Sequence, residues 1–389
     1  MTAFLVALFV VVPLYHAYIG ARLLPDLPLG TAGTALAIAL LAASSLLIPL
    51  AMLSRRMARP VTARLAWVGF IAMGVFSNLI VLTILRDLVL LVMVAAGFTF
   101  GLAVIDRWLL DFLHASALGA PAVAVAMSAI GYPAARRRAA VRETEVRIPG
   151  LPAALDGFAI AQITDVHIGA TIRRPYVEAI VDAVNALGAD LIAVTGDLVD
   201  GTVDQLRHDA APLARLAARH GAFFVTGNHE YYSGVHGWLD ELRRLGLAPL
   251  INEHRVIVHG DATLVLAGIT DFTAHHFDRD HKSDPARAVA GAPADAGATI
   301  LLAHQPRSAF AATATNCHLQ ISGHTHGGQF WPWPWFVRLQ QPFTAGLHRM
   351  GALKVYVSRG TGYWGPPMRI GAPSEISLLR LRRAHGTEI

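Results

Sequence analysis

Cysteine occurs once in 389 residues, at Cys317. One thiol excludes an intrachain disulfide framework and any zinc site built on cysteine thiolates. Next to a strand-like run, Cys317 reads as a small core residue. Charge is also scarce. Asp, Glu, Lys and Arg make up 15% of the chain, against roughly 25% in an ordinary soluble domain, while 54% is hydrophobic. This balance excludes a disordered or fibrous chain, and a wholly soluble one as well. The formal charge is +5, but no basic stripe with interleaved aromatics accompanies it, so nucleic acid is not an expected partner.

Most of the charge lies after residue 135. Before it the chain carries uncharged runs at Met1–Ala21, Leu27–Ser54, Leu65–Leu85, Leu88–Ile105 and Phe112–Ala135. A helix rises about 1.5 Å per residue and the hydrocarbon core of a bilayer is about 30 Å thick, so each run is long enough, or nearly so, to span. The first run lacks a basic n-region and four more follow it, which argues against a cleaved signal peptide. The expectation is a membrane domain over residues 1–135 with five transmembrane helices, Leu88–Ile105 being the shortest. A basic linker follows over 136–149, with Arg136, Arg137, Arg138 and Arg142, and a second domain over 150–389. The lipid bilayer is thus the first expected partner, and a bacterial inner membrane the expected location. The two arginine clusters, Arg55–Arg64 and Arg136–Arg142, compete for the cytoplasmic side if three spans separate them. The hairpin-like pair around Arg86-Asp87 tips the expectation to an external second domain.

Beyond residue 150, short apolar runs alternate with amphipathic stretches. Phe158–Thr164, Asp190–Thr195, Ala222–Thr226, Thr299–Ala303, His318–Ser322, Leu353–Ser358 and Ile376–Leu381 read as strands. Val256–Val258 and Thr263–Ile269 read as a strand pair, and Tyr176–Leu187 and Asp204–Arg219 as helices. Strand–helix alternation followed by a strand-rich half indicates a mixed α/β sandwich. Metal-ligand side chains follow five of these strands directly: Asp165 and His167; Asp197; Asn228 with His229; His304; and His324 with His326. Ligands gather at the carboxyl ends of strands in α/β sheets. Carboxylate, imidazole and one amide oxygen suit borderline divalent ions such as Mn, Fe or Zn. A shared carboxylate can hold two cations about 3.5–4 Å apart with a hydroxide between them, ready for in-line attack on phosphorus. Taken singly, Asp165 or Asp197 would more often be a helix N-cap. Taken together, these side chains are hard to explain structurally.

In this order, D-x-H, G-D, G-N-H-E, a lone His and G-H-T-H resemble the calcineurin-like metallophosphoesterase superfamily. The resemblance covers about Val146–Leu381, and the GHTHGGQ and VYVSRGTG segments resemble a membrane-associated branch of it. The resemblance implies two facing mixed β-sheets flanked by helices, following the multi-pass helical membrane segment. It also implies hydrolysis of a phosphomonoester, phosphodiester or pyrophosphate by two divalent metal ions. Asp165, His167 and His326 would hold one ion and Asn228, His304 and His324 the other, with Asp197 bridging. His229 would contact the phosphate and protonate the leaving oxygen, work that suits a pKa near neutrality. The membrane anchor raises a lipid-linked phosphoester among substrates. In Arg369–Glu375, Ser374 separates Pro373 from Glu375, a departure from the expected arrangement in a segment without metal ligands.

Other features are read more plainly. Asp271, His275, His276, Asp278 and His281 read as a solvated loop at the lip of the site. Asp200 and Glu230 divide evenly between orienting ligands and structural capping. Trp331, Trp333 and Trp335 alternate with prolines, which excludes a central strand and leaves a lipid interface or a pocket cover. The alternative functions are a metal-dependent amide or ester hydrolase, against which Gly227-Asn228-His229-Glu230 argues, and a non-catalytic membrane sensor or scaffold keeping the fold. No metal ligand is lost, which argues against the second.

Overall fold

In a computed structural model, residues 2–53, 61–100 and 102–384 are described. The chain divides into two units, Met1–Ala134 with Gly365–Met368, and Ala135–Trp364 with the residues from Arg369 onward.

The first unit contains α1 (Thr2–Leu23), α2 (Gly30–Leu53), α3 (Val61–Phe100) and α4 (Leu102–Arg136). Among the described residues four helices, not five, are long and apolar enough to cross a membrane. The runs expected as a hairpin, Leu65–Leu85 and Leu88–Ile105, are joined through Arg86-Asp87 in one 40-residue helix that ends at Phe100. The two charges do not break it because both are paired. Arg86 bonds to Asp26, to Ser116 Oγ at 2.8 Å and to the Arg22 carbonyl at 2.9 Å; Asp87 accepts from Tyr18 at 2.6 Å and Arg22 at 2.8 Å. Paired in this way, ionised groups are tolerated in an apolar bundle. A Cβ on Gly69 would lie 2.5 Å from the Leu47 carbonyl, so α2 and α3 touch backbone to backbone. Residues 54–60, which carry three of the arginines in the first basic cluster, lie outside the described residues.

The second unit holds two six-stranded sheets. The first has the order β1 (Ala140–Ile148), β12 (Glu375–Arg383), β2 (Ala159–Ile163), β3 (Leu191–Val194), β4 (Ala222–Phe224) and β5 (Leu247–Pro249). The second has the order β10 (Gly346–Met350), β11 (Leu353–Val357), β9 (Leu319–Ser322), β8 (Ala298–Leu302), β7 (Ala262–Gly268) and β6 (Glu253–His259). Both are mixed: β12 runs antiparallel to β2, and β10 and β6 run antiparallel to their neighbours. Successive strand residues face opposite sides. Ile160, Leu191 and Ala193 therefore enter the layer between the sheets with Leu264, Leu266, Ile300, Leu302 and Ile321. Ala161, Ile163, Ile192 and Val194 face outward under α5 (Arg174–Asn185) and the helices that follow it.

Two expectations need correction. The basic segment 136–149 is not a free linker, since Ala140–Ile148 pairs in parallel with β12 along its whole length. The expected helix Asp204–Arg219 stops early: α6 is Val203–Ala210, followed by a 3-10 turn over Ala211–Arg215. Pro212, which lacks an N–H, prevents continuation. The remaining helices used below are α7 (Asn228–Ser233) and α8 (Val235–Arg244).

Candidate metal centre

All seven expected ligands leave the carboxyl ends of strands. Asp165 and His167 follow β2, Asp197 follows β3, Asn228 opens α7 after β4, His304 follows β8, and His324 and His326 follow β9. In one group, His326 Nε2 lies 3.5 Å from Asp165 Oδ1 and 3.0 Å from His167 Nε2. In the other, His304 Nε2 lies 3.2 Å from Asp197 Oδ2 and 3.2 Å from His324 Nδ1. Donors 2.0–2.2 Å from a common ion, at tetrahedral to octahedral angles, lie roughly 2.8–3.6 Å apart. These spacings fit two adjacent divalent ions. Asp197 stands between the groups, its Oδ2 also 3.9 Å from His167 Nε2. The Asn228 side-chain oxygen is buried with no hydrogen-bond partner among the described residues. A buried orphan acceptor is costly unless something unseen satisfies it, and a cation would.

The backbone is bent to make this possible. Asp165, His167, Asp197, His324 and His326 all have φ between 51° and 71°. Such conformations cost a non-glycine residue about 1–3 kcal/mol each and concentrate at functional sites. Five of the seven positive-φ non-glycine residues described are candidate ligands, so the strain is spent on aiming them. The adjoining glycines make room. A Cβ on Gly227 would stand 2.2 Å from Asp197 Oδ1, and one on Gly323 would stand 2.2 Å from Asp165 Oδ2.

The charges are poorly matched without cations. Burial alone would raise the Asp197 carboxyl, but His304, His229 and His167 around it hold it well below the usual range. Burial likewise opposes charge on His304, yet Asp197 lifts that imidazole well above its ordinary value. Asp165 is raised by burial and by Asp197. His324 is pushed down to about 3 by burial and by His304. His326 is lowered by burial, His167 and Arg369.

His229 is held differently. Its Nδ1 bonds to Asp200 Oδ1 at 2.5 Å, and the same carboxylate oxygen lies 3.3 Å from His167 Nδ1. With Nδ1 engaged, Nε2 faces Asp197 Oδ2 at 3.9 Å. Asp200 thus orients one ligand and the expected acid together. Glu230 accepts from the backbone N–H groups of Asp197, Leu198 and Gly227, fixing the turn that presents Asp197. Burial and Asp197 push its pKa up to about 8.

Three supporting residues escaped the sequence reading. Arg369 is buried and donates to the carbonyls of His326, Arg359, Ala372 and Gly362, with its guanidinium 3.1 Å from His326 Nδ1. Gln329 and Trp364 clamp each other through two 3.0 Å side chain–backbone bonds, and the Trp364 ring stands edge-on to His229 with centroids 6.0 Å apart. Their signals were weak: one arginine between apolar neighbours, and one glutamine ending a glycine turn. Arg369→Met should lower unfolding stability by about 3 kcal/mol, because several buried carbonyls lose their only charged donor. Urea unfolding of the full chain, followed by tryptophan fluorescence, reads this as a lower midpoint for the second unit. An unchanged midpoint would contradict the bracing role.

The expected solvated loop is only partly so. Asp271 is fully buried, accepting from Thr273 and from Gln305 at 2.9 Å. Asp278 and His281 come together with His236 in a partly exposed group outside the main centre. His275 and His276 are exposed. Cys317 is buried in the outer core of the second sheet.

The calcineurin-like phosphoesterase profile matches residues 158–328, from the start of β2 through the turn after β9. The chain is 38% identical over 252 residues to the zebrafish Danio rerio transmembrane protein with metallophosphoesterase domain, covering 63% of this chain and 57% of that one. To the protein of the same name from Bos taurus it is 39% identical over 280 residues, covering 68% and 63%. The chain therefore spans about three fifths of the length of these vertebrate relatives. An uncharacterized metallophosphoesterase of Aquifex aeolicus is 32% identical over 225 residues, 57% of this chain but 84% of its own length. Likeness across most of a compact relative, together with ligand-bearing turns at the ends of the same matched strands, means that the chain belongs to the calcineurin-like phosphoesterase family.

Proposed function

We propose that the protein is a membrane-anchored, two-metal phosphoesterase. The observation that carries this reading is the two donor clusters, Asp165 with His167 and His326, and Asp197 with His304 and His324, linked by a further cluster of His167, Asp197 and His229. Asp165, His167 and His326 would hold one ion, Asn228, His304 and His324 the other, and Asp197 both. Mn, Fe or Zn bound there would neutralise phosphoryl oxygens and acidify water. The protein's own part is to fix the donors through strained turns, to orient the His229 ring through its Nδ1 bond to Asp200, and to deliver a proton from its Nε2 to the leaving oxygen. A scaffold that had abandoned catalysis would have no use for this His229–Asp200 pair.

The test is turnover by the purified full chain, stripped with chelator and reloaded with each metal. Substrates should include nitrophenyl phosphate, its bis-nitrophenyl diester, a nucleoside diphosphate, a phospholipid and a prenyl pyrophosphate. Loaded protein should turn over at least one of them and the stripped protein none. One ion or none per chain at saturation would reject the two-metal reading. A lipid-linked phosphoester is the substrate class we favour. It is supported by an apolar groove of about 440 Å³ in the helical unit, lined by Phe70, Val75, Val125, Tyr132, Pro366 and Met368 among others.

The catalytic unit is proposed to lie in the cytoplasm, on the inner membrane of a bacterial cell. Only α3 and α4 separate the arginine-bearing segment 55–64 from Arg136–Arg142, and an even number of crossings returns both clusters to one side, as the bias of positive charge toward the cytoplasm requires. The expected external location needs a third crossing, whereas the continuity of α3 supports two. A phosphatase or fluorescent reporter fused after Leu381 should signal cytoplasmic exposure. A periplasmic signal would restore the three-crossing arrangement.

A further inference from the structure

The segment that follows the last metal-bearing turn has no part in the chemistry above, yet its side chains are arranged with order. From Trp331 to Leu339 the exposed positions are Trp331, Trp333, Trp335, Phe336, Arg338 and Leu339, while Pro332, Pro334 and Val337 are half-buried. Prolines turn inward and tryptophans outward in strict alternation over Trp331–Trp335. Trp335 is 72% exposed and Leu339 81%. The ramp is stiff. Pro334 packs so closely on Gly328 that a Cβ there would lie 2.4 Å from it, and Trp333–Val337 forms a short helix. Gly328 itself ends the turn begun at His326. A soluble surface scatters its large apolar side chains singly, and a contiguous group marks an interaction site.

We propose that Trp331, Trp333, Trp335, Phe336 and Leu339 form a docking surface for the headgroup region of a lipid bilayer. Four membrane-length helices in the same chain supply the bilayer. Tryptophan is the residue enriched at that depth, where one end of the indole is wet and the other apolar. Arg338, exposed among the aromatics, adds attraction to anionic headgroups. Gly328 ties the surface to the turn carrying His326, so docking would hold the metal centre at headgroup level. The proposal concerns contact alone and does not depend on which phosphoester is cleaved.

The test uses the full chain in nanodiscs of mixed zwitterionic and anionic lipid, with buried Cys317 replaced by Ala. A spin label is attached at Trp335→Cys or, in a second variant, at Leu339→Cys. A third variant, Asp204→Cys, is the control, since that side chain is 95% exposed on α6. Collision with oxygen, which concentrates in lipid, is compared with collision with a water-soluble nickel chelate. Docking predicts an oxygen-to-chelate ratio several-fold higher at both 335 and 339 than at 204. Ratios equal to the control at both positions would overturn the proposal. So would strong spin–spin broadening between chains that persists on dilution with lipid, which would assign the surface to a second copy. Metal content and turnover are not read in this experiment, so its failure is distinct from failure of the phosphoesterase reading.

Discussion

Asp197→Asn should lower kcat/KM by at least about 10³-fold, more than any other single ligand change. Removing one preorganised electrostatic group from an active site costs about 10²–10³, and Asp197 lies within 4 Å of His167 in one donor group and of His304 in the other. The isosteric amide keeps the shape and removes the charge. That charge has two tasks. It would neutralise the ions jointly, and in their absence it holds the His304 imidazole protonated well above its ordinary range. Metal must displace that proton, so ion affinity should weaken as pH falls. In the amide variant the displaced proton is gone but so is the bridging anion, and the variant should retain less than one ion per chain after dialysis. Plasma emission analysis with initial-rate kinetics reads both quantities. Two ions retained together with kcat/KM within tenfold of the parent would remove Asp197 from the centre of the mechanism.

His229→Ala should give the opposite combination: full metal content and a loss of about 10²–10⁴ in kcat, the usual worth of a general acid. His229 stands next to Asn228 in α7 but donates no atom to the two ligand groups as assigned. Its Nδ1 bonds to Asp200 Oδ1, and its Nε2 lies 3.9 Å from Asp197 Oδ2. The loss should shrink for nitrophenyl esters, whose leaving group needs no proton, and be largest for alkyl phosphates. A similar loss on both would assign His229 to binding. Asp200→Asn offers an internal comparison, since it would disturb His229 and the ligand His167 together and should therefore affect metal content as well.

The candidate ligands were legible because Asp, Asn and His side chains recur just beyond the ends of five strands. The strands themselves were legible where burial on both faces gave apolar runs, unbroken in Leu191–Val194 and broken only by Thr299 in Ala298–Leu302. β1 was not. Its alternation Arg142, Glu143, Glu145, Arg147 reads as a charged linker, and it becomes a strand only because β12 offers a ladder whose Arg380 and Arg382 meet Glu143 and Glu145. α7 and β5 are six and three residues long, too short for periodicity to show. The count of membrane helices failed for a related reason. Arg86-Asp87 looked like a polar break because its partners Asp26, Arg22 and Tyr18 lie some sixty residues earlier in the chain. Arg369 was invisible on the same ground: its value depends on four carbonyls gathered from separate turns.

The order of strands in the first sheet also sets a timetable for biogenesis. β12 sits between β1 and β2, yet it is made about 235 residues after β1 begins. At a synthesis rate of roughly 5–20 residues per second, that is a delay on the order of 10–50 s. Throughout it, β1 has no ladder to join and the outer edge of β2 stands open. Arg369 and the clamp on His326 emerge in the same final stretch. The nascent chain therefore has its four long apolar helices and all seven candidate ligands made, without the Arg369 brace, well before its sheet can close. Closure of the first sheet around β1 and β2 therefore waits on the synthesis of β12.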